Sequence, residues 1–519
     1  MAESVRLTVD GRAVVAETGV TVAAALWNAG VLGLRRSVGG EARGVLCAMG
    51  ICYECRVEID GVPHRRACME LVRDGMAIET GAAAPGIPPA ESRVPDPVSL
   101  EGDVAVIGAG PAGVAAACRA AESGARTLLL DDAAAPGGQI HRRLPGRPPP
   151  EAARPWLERL ERSGAQRVAG ATVAEARPAA RGLVLLADRG GAALTVTARR
   201  VILATGAREL FLPFPGWTLP GVLGAGGAQA LAKGGASLAG RVAVVAGSGP
   251  LLLAVAAYLA KAGAEVALVA EQASLGALAI FGGALALAPG KLLEAARYRA
   301  AFLDTPYRTG AWIAEARGTE RVERVVVEDG AGRFEIACDL AAVAHGLVPN
   351  TELARLLGCG MEGGAVRVDA LQRTTVPGVF AAGEACGVAG IDVAIAEGEI
   401  AGLSAAGLGA AVTPAIVRAR DKGRRLARRM ARAFRPRPEL RRLARPDTVV
   451  CRCEDARLAS IAACGAPREA RLAARAGMGP CQGRVCAPAL EFLFGWDSDT
   501  VRPPARPVPL GHLAREETT

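Results

Sequence analysis

The 519-residue sequence has few aromatic residues, few histidines and no long uninterrupted apolar run. Aromatic residues make up 3% of the chain, while abundant glycine and alanine suit closely packed nucleotide-binding folds. The opening residues MAESVRLTVDGRAVV contain no apolar segment behind a basic leader, so we expect no export signal and a cytoplasmic location. Glycine and proline interrupt the uncharged stretches 242–260 and 272–290, which argues against a transmembrane span and favours an apolar docking surface at 275–288.

Recognisable acid–base and disulfide-exchange motifs are also missing. The sequence has four histidines, and none stands in an acid–base or nucleophile arrangement. No CxxC or Cx4C pair lies in the central region, which argues against a disulfide-reductase mechanism. We therefore assign no catalytic residue to this chain and expect bound cofactors to supply its chemistry.

Positive charge is concentrated in one segment. Between Arg418 and Arg445 there are 13 Arg or Lys residues and two acidic residues, a local net charge of +11, whereas the whole chain carries +9. The rest of the chain is thus nearly neutral, at −2. The segment lacks the aromatic interleaving typical of nucleic-acid binding, so we predict a solvated or partner-facing connector.

Cysteine, in contrast, is abundant and clustered, with nine of thirteen residues in the windows 47–68 and 451–486. Free thiols are expected in a chain without an export signal, which disfavours disulfides. The first set has the C-x4-C-x2-C spacing of plant-type ferredoxins and predicts a [2Fe–2S] centre. Zinc is the alternative, although zinc sites usually use paired C-x2–4-C knuckles. The predicted ligands are Cys47, Cys52, Cys55 and Cys68.

The residues around this set predict a β-grasp fold. Residues 5–16 indicate a hairpin with its turn at 10–11, and a helix is expected from Thr21. Residues 53–68 indicate a second hairpin. The short gap before the fourth cysteine resembles small ferredoxin-like domains attached to larger oxidoreductases.

The second set combines a CxC and a Cx4C motif that can close four ligands around one metal centre. Its flanks, VVCRCED and GMGPCQGRVC, resemble the bacterioferritin-associated-ferredoxin-like [2Fe–2S] domain, and this resemblance implies a second cluster. Cys464 lies between the two motifs and is interpreted as a buried structural thiol. The predicted ligands are Cys451, Cys453, Cys481 and Cys486.

The central region predicts dinucleotide binding. A buried strand runs into Gly108, Gly110 and Gly113, a helix follows, and the next strand ends at Asp131. The glycines let the backbone approach a pyrophosphate at the helix N-terminus, and the acid accepts from ribose hydroxyls.

Three further motifs resemble the two-dinucleotide-domain FAD reductases, which implies that this site holds FAD. They are GGQ after the acid, ILATG at the end of a later strand, and TVPGVFAAGE near residue 384, where glutamate replaces the usual aspartate. The alternative is that the pocket holds a different adenine nucleotide and the flavin lies elsewhere, and an FMN at a subunit interface stays open. The implied contact residues are Gly138, Gln139, Thr205, Gly206, Gly383 and Glu384.

A second strand–turn–helix pattern lies between the two FAD segments. It carries Gly247 and Gly249, but Leu252 occupies the third glycine position and would crowd a pyrophosphate. We therefore favour a retained fold without a working cofactor. The alternative is an NAD(P) site in which Glu271 favours an unphosphorylated ribose.

The order of these motifs resembles a fused α subunit of a heteromeric amino-acid dehydrogenase, a group that includes hydrogen cyanide synthase, octopine and nopaline oxidases, D-hydroxyproline dehydrogenase and heterotetrameric sarcosine oxidase. The segments LLLAVAAYLAKAGAEV and GLVPNTELARLLGC add to the resemblance. It implies that a D-amino-acid-oxidase-like β subunit oxidises the amine and that this chain relays electrons through FAD and two clusters to an external acceptor. The alternatives are a self-contained NAD(P)H-dependent reductase and a redox sensor without turnover.

The chain is too long for one core and divides into several domains around an α/β, two-dinucleotide-binding-domain flavoprotein core. The predicted segments are a β-grasp [2Fe–2S] domain at 1–84, a linker at 85–100, the FAD-binding domain in two parts at 101–240 and 337–412, an inserted dinucleotide-binding-like domain at 241–336, a basic connector at 413–446, a small helical [2Fe–2S] domain at 447–500 and a Pro-rich tail at 501–519.

Overall fold

The chain is organised as two units, each assembled from three separated segments. The computed structural model describes residues 4–81, 97–285, 288–497 and 501–513. The first unit comprises Met1–Ile87, Glu209–Leu347 and Arg429–Ser498, and the second comprises Pro88–Arg208, Val348–Arg428 and Asp499–Thr519. Most of the predicted linker at 85–100, residues 286–287 of the predicted docking surface, residues 498–500 of the predicted helical domain and residues 514–519 of the tail lie outside the described residues.

Strands dominate the first 209 residues. The elements are β1 (Ser4–Val9), β2 (Arg12–Glu17), α1 (Val22–Asn28), β3 (Arg35–Arg36), β4 (Ala42–Arg43), β5 (Arg56–Ile59), β6 (Val62–Arg66), β7 (Ala77–Glu79), β8 (Val98–Ile107), α2 (Pro111–Glu122), β9 (Thr127–Asp131), α3 (Arg154–Arg162), β10 (Gln166–Ala169), β11 (Ala171–Ala179), β12 (Gly182–Arg189), β13 (Ala192–Leu203) and β14 (Ala207–Glu209).

Helices and strands alternate in the middle of the chain, and helices dominate its end. The elements are β15 (Val222–Gly224), α4 (Ala225–Lys233), β16 (Val242–Gly247), α5 (Leu251–Lys261), β17 (Glu265–Glu271), α6 (Leu275–Leu285), α7 (Pro289–Ala300), β18 (Tyr307–Thr309), β19 (Trp312–Arg317), β20 (Arg324–Asp329), β21 (Gly332–Ala337), β22 (Leu340–Ala344), β23 (Leu347–Pro349), α8 (Glu352–Leu356), β24 (Met361–Glu362), β25 (Ala365–Val366), β26 (Val379–Ala381), α9 (Ile391–Ala405), α10 (Pro414–Ala433), β27 (Val449–Cys451), β28 (Ala456–Arg457), α11 (Leu458–Ala462), α12 (Pro467–Ala474), α13 (Cys486–Phe494) and α14 (Leu510–Leu513).

The N-terminal segment of the first unit forms a five-stranded sheet in the order β2–β1–β7–β5–β6. Asp10 and Gly11 both adopt positive φ, the conformation of a two-residue hairpin turn, and β1 pairs antiparallel with β2. The Thr21 hydroxyl accepts a hydrogen bond from the amide of Ala24 at 3.2 Å and caps α1. The predicted hairpins and the helix from Thr21 are confirmed.

The middle segment of the first unit carries the inserted domain. Its five strands are all parallel and lie in the order β15–β22–β16–β17–β18, while β19–β20–β21 form a separate antiparallel sheet. Close backbone contact joins this segment to the N-terminal sheet's cysteine loop, since a Cβ at Gly227 would lie 2.3 Å from the Leu46 carbonyl oxygen. The last segment of the unit is a short hairpin, β27–β28, followed by α11, α12 and α13.

The second unit is built on a larger sheet in the order β10–β9–β8–β13–β12–β11, with β26 paired to β13. Strands β10, β9, β8, β13 and β26 run parallel, and β11, β12 and β13 form antiparallel hairpins. Helices α2 and α9 pack so closely that a Cβ at Gly398 would lie 2.1 Å from the carbonyl oxygen of Ala112. The predicted α/β flavoprotein fold with an inserted Rossmann-like domain is confirmed.

The basic segment differs in part from the predicted solvated connector. Residues Pro414–Ala433 form the helix α10, and Arg420 on it is buried and donates to the carbonyl of Ala370 at 2.8 Å. Arg424 donates to the buried carboxylate of Glu397 at 2.7 Å. Part of the positive charge therefore holds the portion of this helix up to Arg428 against other residues of the second unit. None of the helices in the described ranges has the length and apolar character needed to cross a bilayer.

Candidate cofactor sites

The first glycine-rich turn connects β8 to α2 in the second unit. Gly108 has φ of 103°, and a Cβ there would lie 2.3 Å from the carbonyl oxygen of Ala204. A Cβ at Gly113 would lie 1.7 Å from the Gly108 carbonyl oxygen, so α2 can begin this close to the turn only with glycine at both positions. Gly110 is the N-cap of α2, and in the described part of the chain no side chain caps this terminus.

Two further loops lie beside this turn. The amide of Gly137 donates to the carbonyl of Ala109 at 2.8 Å, and a Cβ at Gly138 would lie 2.9 Å from the Cα of Gly110. The backbone nitrogen of Thr205 would lie 3.5 Å from a Cβ at Gly108, and the Thr205 hydroxyl donates to the carbonyl of Asn350 at 2.6 Å. The structure thus brings Gly138 next to the predicted pyrophosphate position. Gln139, in contrast, is exposed, and its side chain accepts from Arg142 at 3.1 Å.

Carboxylates flank the glycines. Asp131 at the end of β9 accepts from the amides of Ala109 and Ala133, and burial together with Asp132 raises its pKa to about 7. Glu384 follows β26, and burial raises its pKa. The adjacent Gly383 donates its amide to Glu397 at 2.9 Å.

This arrangement fits an adenine dinucleotide. The open N-terminus of α2 supplies amides and a positive dipole end to a pyrophosphate. Among the described residues, no heavy atom beyond the chain neighbours lies nearer than 3.9 Å to the Cβ positions of Gly110 and Gly206, which leaves space along the turn. Asp131 stands at the strand end where a ribose hydroxyl acceptor is expected.

The first cysteine set lies in the loop before β5 and in the turn after β6, within the first unit. All four cysteines are buried. The Sγ atoms of Cys47 and Cys52 are 3.1 Å apart, and Cys55 is hydrogen-bonded to Cys68. The hydrogen bond between Cys47 and Cys52 lowers the pKa of Cys47 to about 6 despite its burial, and backbone amides contribute to the shift. The amide of Gly50 points at Cys68 Sγ, 3.2 Å away.

The second set lies in the last segment of the same unit. Cys453 and Cys481 have their Sγ atoms 3.5 Å apart, and Cys451 is hydrogen-bonded to Cys486. No disulfide joins any of the thirteen cysteines, all of which lie within the described residues. Cys464 does not join the set, and its Sγ contacts the carbonyl of Ser460 at 3.5 Å.

The cysteines therefore form two pairs in each set. Among the described residues, no three His, Cys, Asp or Glu side chains surround a position for a single metal ion. A [2Fe–2S] cluster has two irons and takes four thiolates, two on each iron, whereas zinc needs its four ligands around one point. Four cysteines in two pairs match the ligand number of a [2Fe–2S] centre, with two thiolates for each iron.

The loops also hold non-glycine residues in left-handed conformation. The φ angles are 50° at Ala48, 57° at Tyr53 and 50° at Gln482. Such residues are costly and concentrate at functional sites. Sequence reasoning missed them because none is a glycine or asparagine that would signal positive φ.

The second glycine-rich turn, in the first unit, is covered by the chain itself. Ser248 donates to the carbonyl of Phe434 at 2.7 Å, and the Phe434 ring lies 3.8 Å from where a Cβ of Gly249 would be. Gln272 donates to Ser248 at 2.8 Å and accepts from the amide of Arg437 at 3.0 Å. Residues 434–437 thus lie where a nucleotide would approach Gly247 and Gly249. Sequence reasoning identified only Leu252 as an obstacle.

Residues 102–398 match the family described as pyridine nucleotide-disulphide oxidoreductase, and residues 2–83 match the 2Fe–2S iron–sulfur cluster binding domain. The chain belongs to this oxidoreductase family and combines its flavoprotein fold with an N-terminal [2Fe–2S] domain. It is therefore a flavin- and iron–sulfur-dependent oxidoreductase, the class of enzyme that the sequence motifs predict.

Two relatives define the group more closely. The chain is 34% identical over 462 residues to an opine oxidase subunit of Rhizobium meliloti (strain 1021), covering 79% of this chain and 98% of that protein. It is 46% identical over 71 residues to the hydrogen cyanide synthase subunit HcnA of Pseudomonas aeruginosa, covering 14% of this chain and 68% of that protein. The crystal structure of L-proline dehydrogenase from P. horikoshii shares the fold, with a TM-score of 0.72, 21% identity and coverage of 99% of this chain and 98% of that one.

Proposed function

We propose that this chain is the electron-transfer α subunit of a heteromeric amino-acid dehydrogenase acting on a D-amino acid, a hydroxyproline or an opine. A D-amino-acid-oxidase-like partner oxidises the substrate, and this chain relays the electrons to an external acceptor. The observation that carries the proposal is the pair of buried four-cysteine sets in a chain that also has an FAD-type glycine turn. The relatives named as subunits support a hetero-oligomer.

The residues of this chain bind and position the cofactors. The turn at Gly108, Gly110 and Gly113 holds the pyrophosphate of FAD, and Asp131 accepts from its ribose. The sets that begin at Cys47 and Cys451 each hold one [2Fe–2S] cluster. When bound, a flavin takes up two electrons and the clusters carry electrons singly.

The chain alone is expected to show no reduction of its flavin by NADH or NADPH, because residues 434–437 cover the second glycine turn. The purified protein is titrated anaerobically with each nucleotide while the flavin absorbance is followed, after iron and the released nucleotides have been identified. Reduction that requires the partner and its amino acid supports the relay. Prompt bleaching by either nucleotide would overturn it in favour of a self-contained reductase.

We further propose that the partner docks on α6 and α7. Leu275 and Ile280 are 71% and 80% exposed, and Leu292 and Leu293 on α7 are at least half exposed. Large exposed apolar side chains on two neighbouring helices are typical of a protein interface.

Ile280→Glu is therefore expected to weaken co-purification with the partner by roughly tenfold or more, since an interface anchor contributes about 2 kcal/mol. Val15→Glu, which alters a 70% exposed residue on β2, serves as the control. Flavin and iron contents are expected to be unchanged in both variants. Equal recovery of the partner with both would show that it docks elsewhere.

A further inference from the structure

A buried ion bridge joins the loops that carry the two cysteine sets. Glu54 lies between Cys52 and Cys55 in the first loop, and Arg452 lies between Cys451 and Cys453 in the second. One carboxylate oxygen of Glu54, Oε2, accepts from Arg452 Nε at 2.8 Å. Both side chains are 1% exposed. The residues next to the predicted ligands therefore meet directly, although 398 positions separate them in the sequence.

Further contacts hold this bridge on both sides. The other oxygen of Glu54, Oε1, accepts from Arg35 Nη2 at 2.6 Å, and the same nitrogen donates to the backbone carbonyl of Arg452 at 3.1 Å. Arg452 Nη1 donates to the carbonyl of Trp217 at 2.6 Å, and its guanidinium lies 4.8 Å from the Trp217 ring centroid. The planar fork of an arginine suits such simultaneous contacts, so the loops are held in one orientation.

Stability alone is a poor explanation for the bridge. Burying ions has a large desolvation cost, and apolar side chains of similar volume often stabilise a core equally well. The same two segments are already joined by a second set of contacts, in which Asp455 accepts from Arg43 at 2.8 Å and from the amide of Gly39 at 2.7 Å. The two arginines and one glutamate of the bridge leave a net charge of +1 beside eight cysteines that bind iron as anions.

We propose that Arg35, Glu54 and Arg452 are positioning residues that hold the two clusters as an adjacent, electronically coupled pair and raise their reduction potentials. This inference rests on the proposed function, because it requires a cluster at each set. The exchange between the sites moves one electron: the site that gives it is oxidised, the site that takes it is reduced, and no bond or proton moves. Cluster potentials depend on the net charge around the cluster, and this bridge supplies a net positive charge beside both cysteine sets.

The first test uses the unaltered holoprotein, reduced stepwise with dithionite and followed by electron paramagnetic resonance. About four irons per chain are expected. When both sites are reduced, each signal is expected to be split or broadened by the other, whereas half-reduced samples give simple signals. If the protein holds four irons but the signals show no such interaction, the proposed adjacent pair is overturned while the proposed function stands. If the protein holds only two irons per chain, the second cluster of the proposed function is absent, and the proposal of an adjacent pair fails with it.

The second test measures both potentials in variants of the bridge. Arg452→Gln removes positive charge and is expected to lower the potentials, Glu54→Gln removes negative charge and is expected to raise them, and Arg452→Lys is expected to restore values near those of the unaltered protein. Arg445→Gln is the control, since Arg445 pairs with Glu315 at 3.0 Å in the same unit. Shifts of the same sign in both Gln variants, or no shift in iron-replete protein, would contradict the proposal.

Discussion

Gly113→Ala is expected to abolish or strongly weaken FAD binding while leaving the iron sites intact. The added methyl group would lie 1.7 Å from the carbonyl oxygen of Gly108, and that atom belongs to backbone that no side-chain rotation can move. This clash can be removed only if α2 shifts away from the turn and therefore from the pyrophosphate. Overpacking of this kind costs about 1–3 kcal/mol or more, so affinity should fall at least roughly fivefold.

The measurement is the flavin-to-protein ratio of purified Gly113→Ala, together with its iron content. Gly330→Ala is the matched control, because in the part of the chain that the structure describes a Cβ at that position meets no atom within 4 Å. The iron content shows whether the first unit has folded, because both cysteine sets lie in that unit. A variant that keeps full flavin would show that this turn does not hold the dinucleotide. If the unaltered protein releases a different adenine nucleotide, the alternative interpretation is supported, in which that nucleotide occupies the turn and the flavin lies elsewhere.

Features encoded by neighbouring residues could be predicted from the sequence. The turn at Asp10 and Gly11 and the cap at Thr21 depend on backbone preferences of a few adjacent residues. The turn at Gly108 is equally local, because strand, glycines and helix follow one another without interruption. These structures depend on the conformational preferences of adjacent residues, so they can be predicted without knowledge of distant contacts.

Features formed between distant segments could not be predicted. Phe434 and Ser248 are 186 positions apart, and nothing near either residue signals that a carbonyl would occupy the second turn. Glu54 and Arg452 each stand within a cysteine motif, which attracts attention to the ligands instead of to the residue between them. The buried contacts of Arg424 likewise depend on Glu397, so a basic segment that looks solvated from its composition is partly internal.

Cys52→Ser and Cys453→Ser are each expected to abolish electron transfer to the external acceptor while FAD remains bound. Each substitution removes one thiolate from a pair, and serine oxygen is a harder donor that suits iron–sulfur clusters poorly. The predicted path needs both sets, so loss of either one interrupts it. Iron content is expected to fall by about half in each variant.

Acceptor reduction is measured with the reconstituted partner and its amino acid, and flavin reduction is followed separately in the same samples. Cys464→Ser is the control, because Cys464 lies between the second set's motifs but contacts the Ser460 carbonyl instead. The expected result is that flavin is still reduced in both ligand variants while the acceptor is not. If Cys453→Ser contains half the iron but still reduces the acceptor fully, the second set is not on the electron-transfer path. If this variant keeps its full iron content, Cys453 is not a ligand.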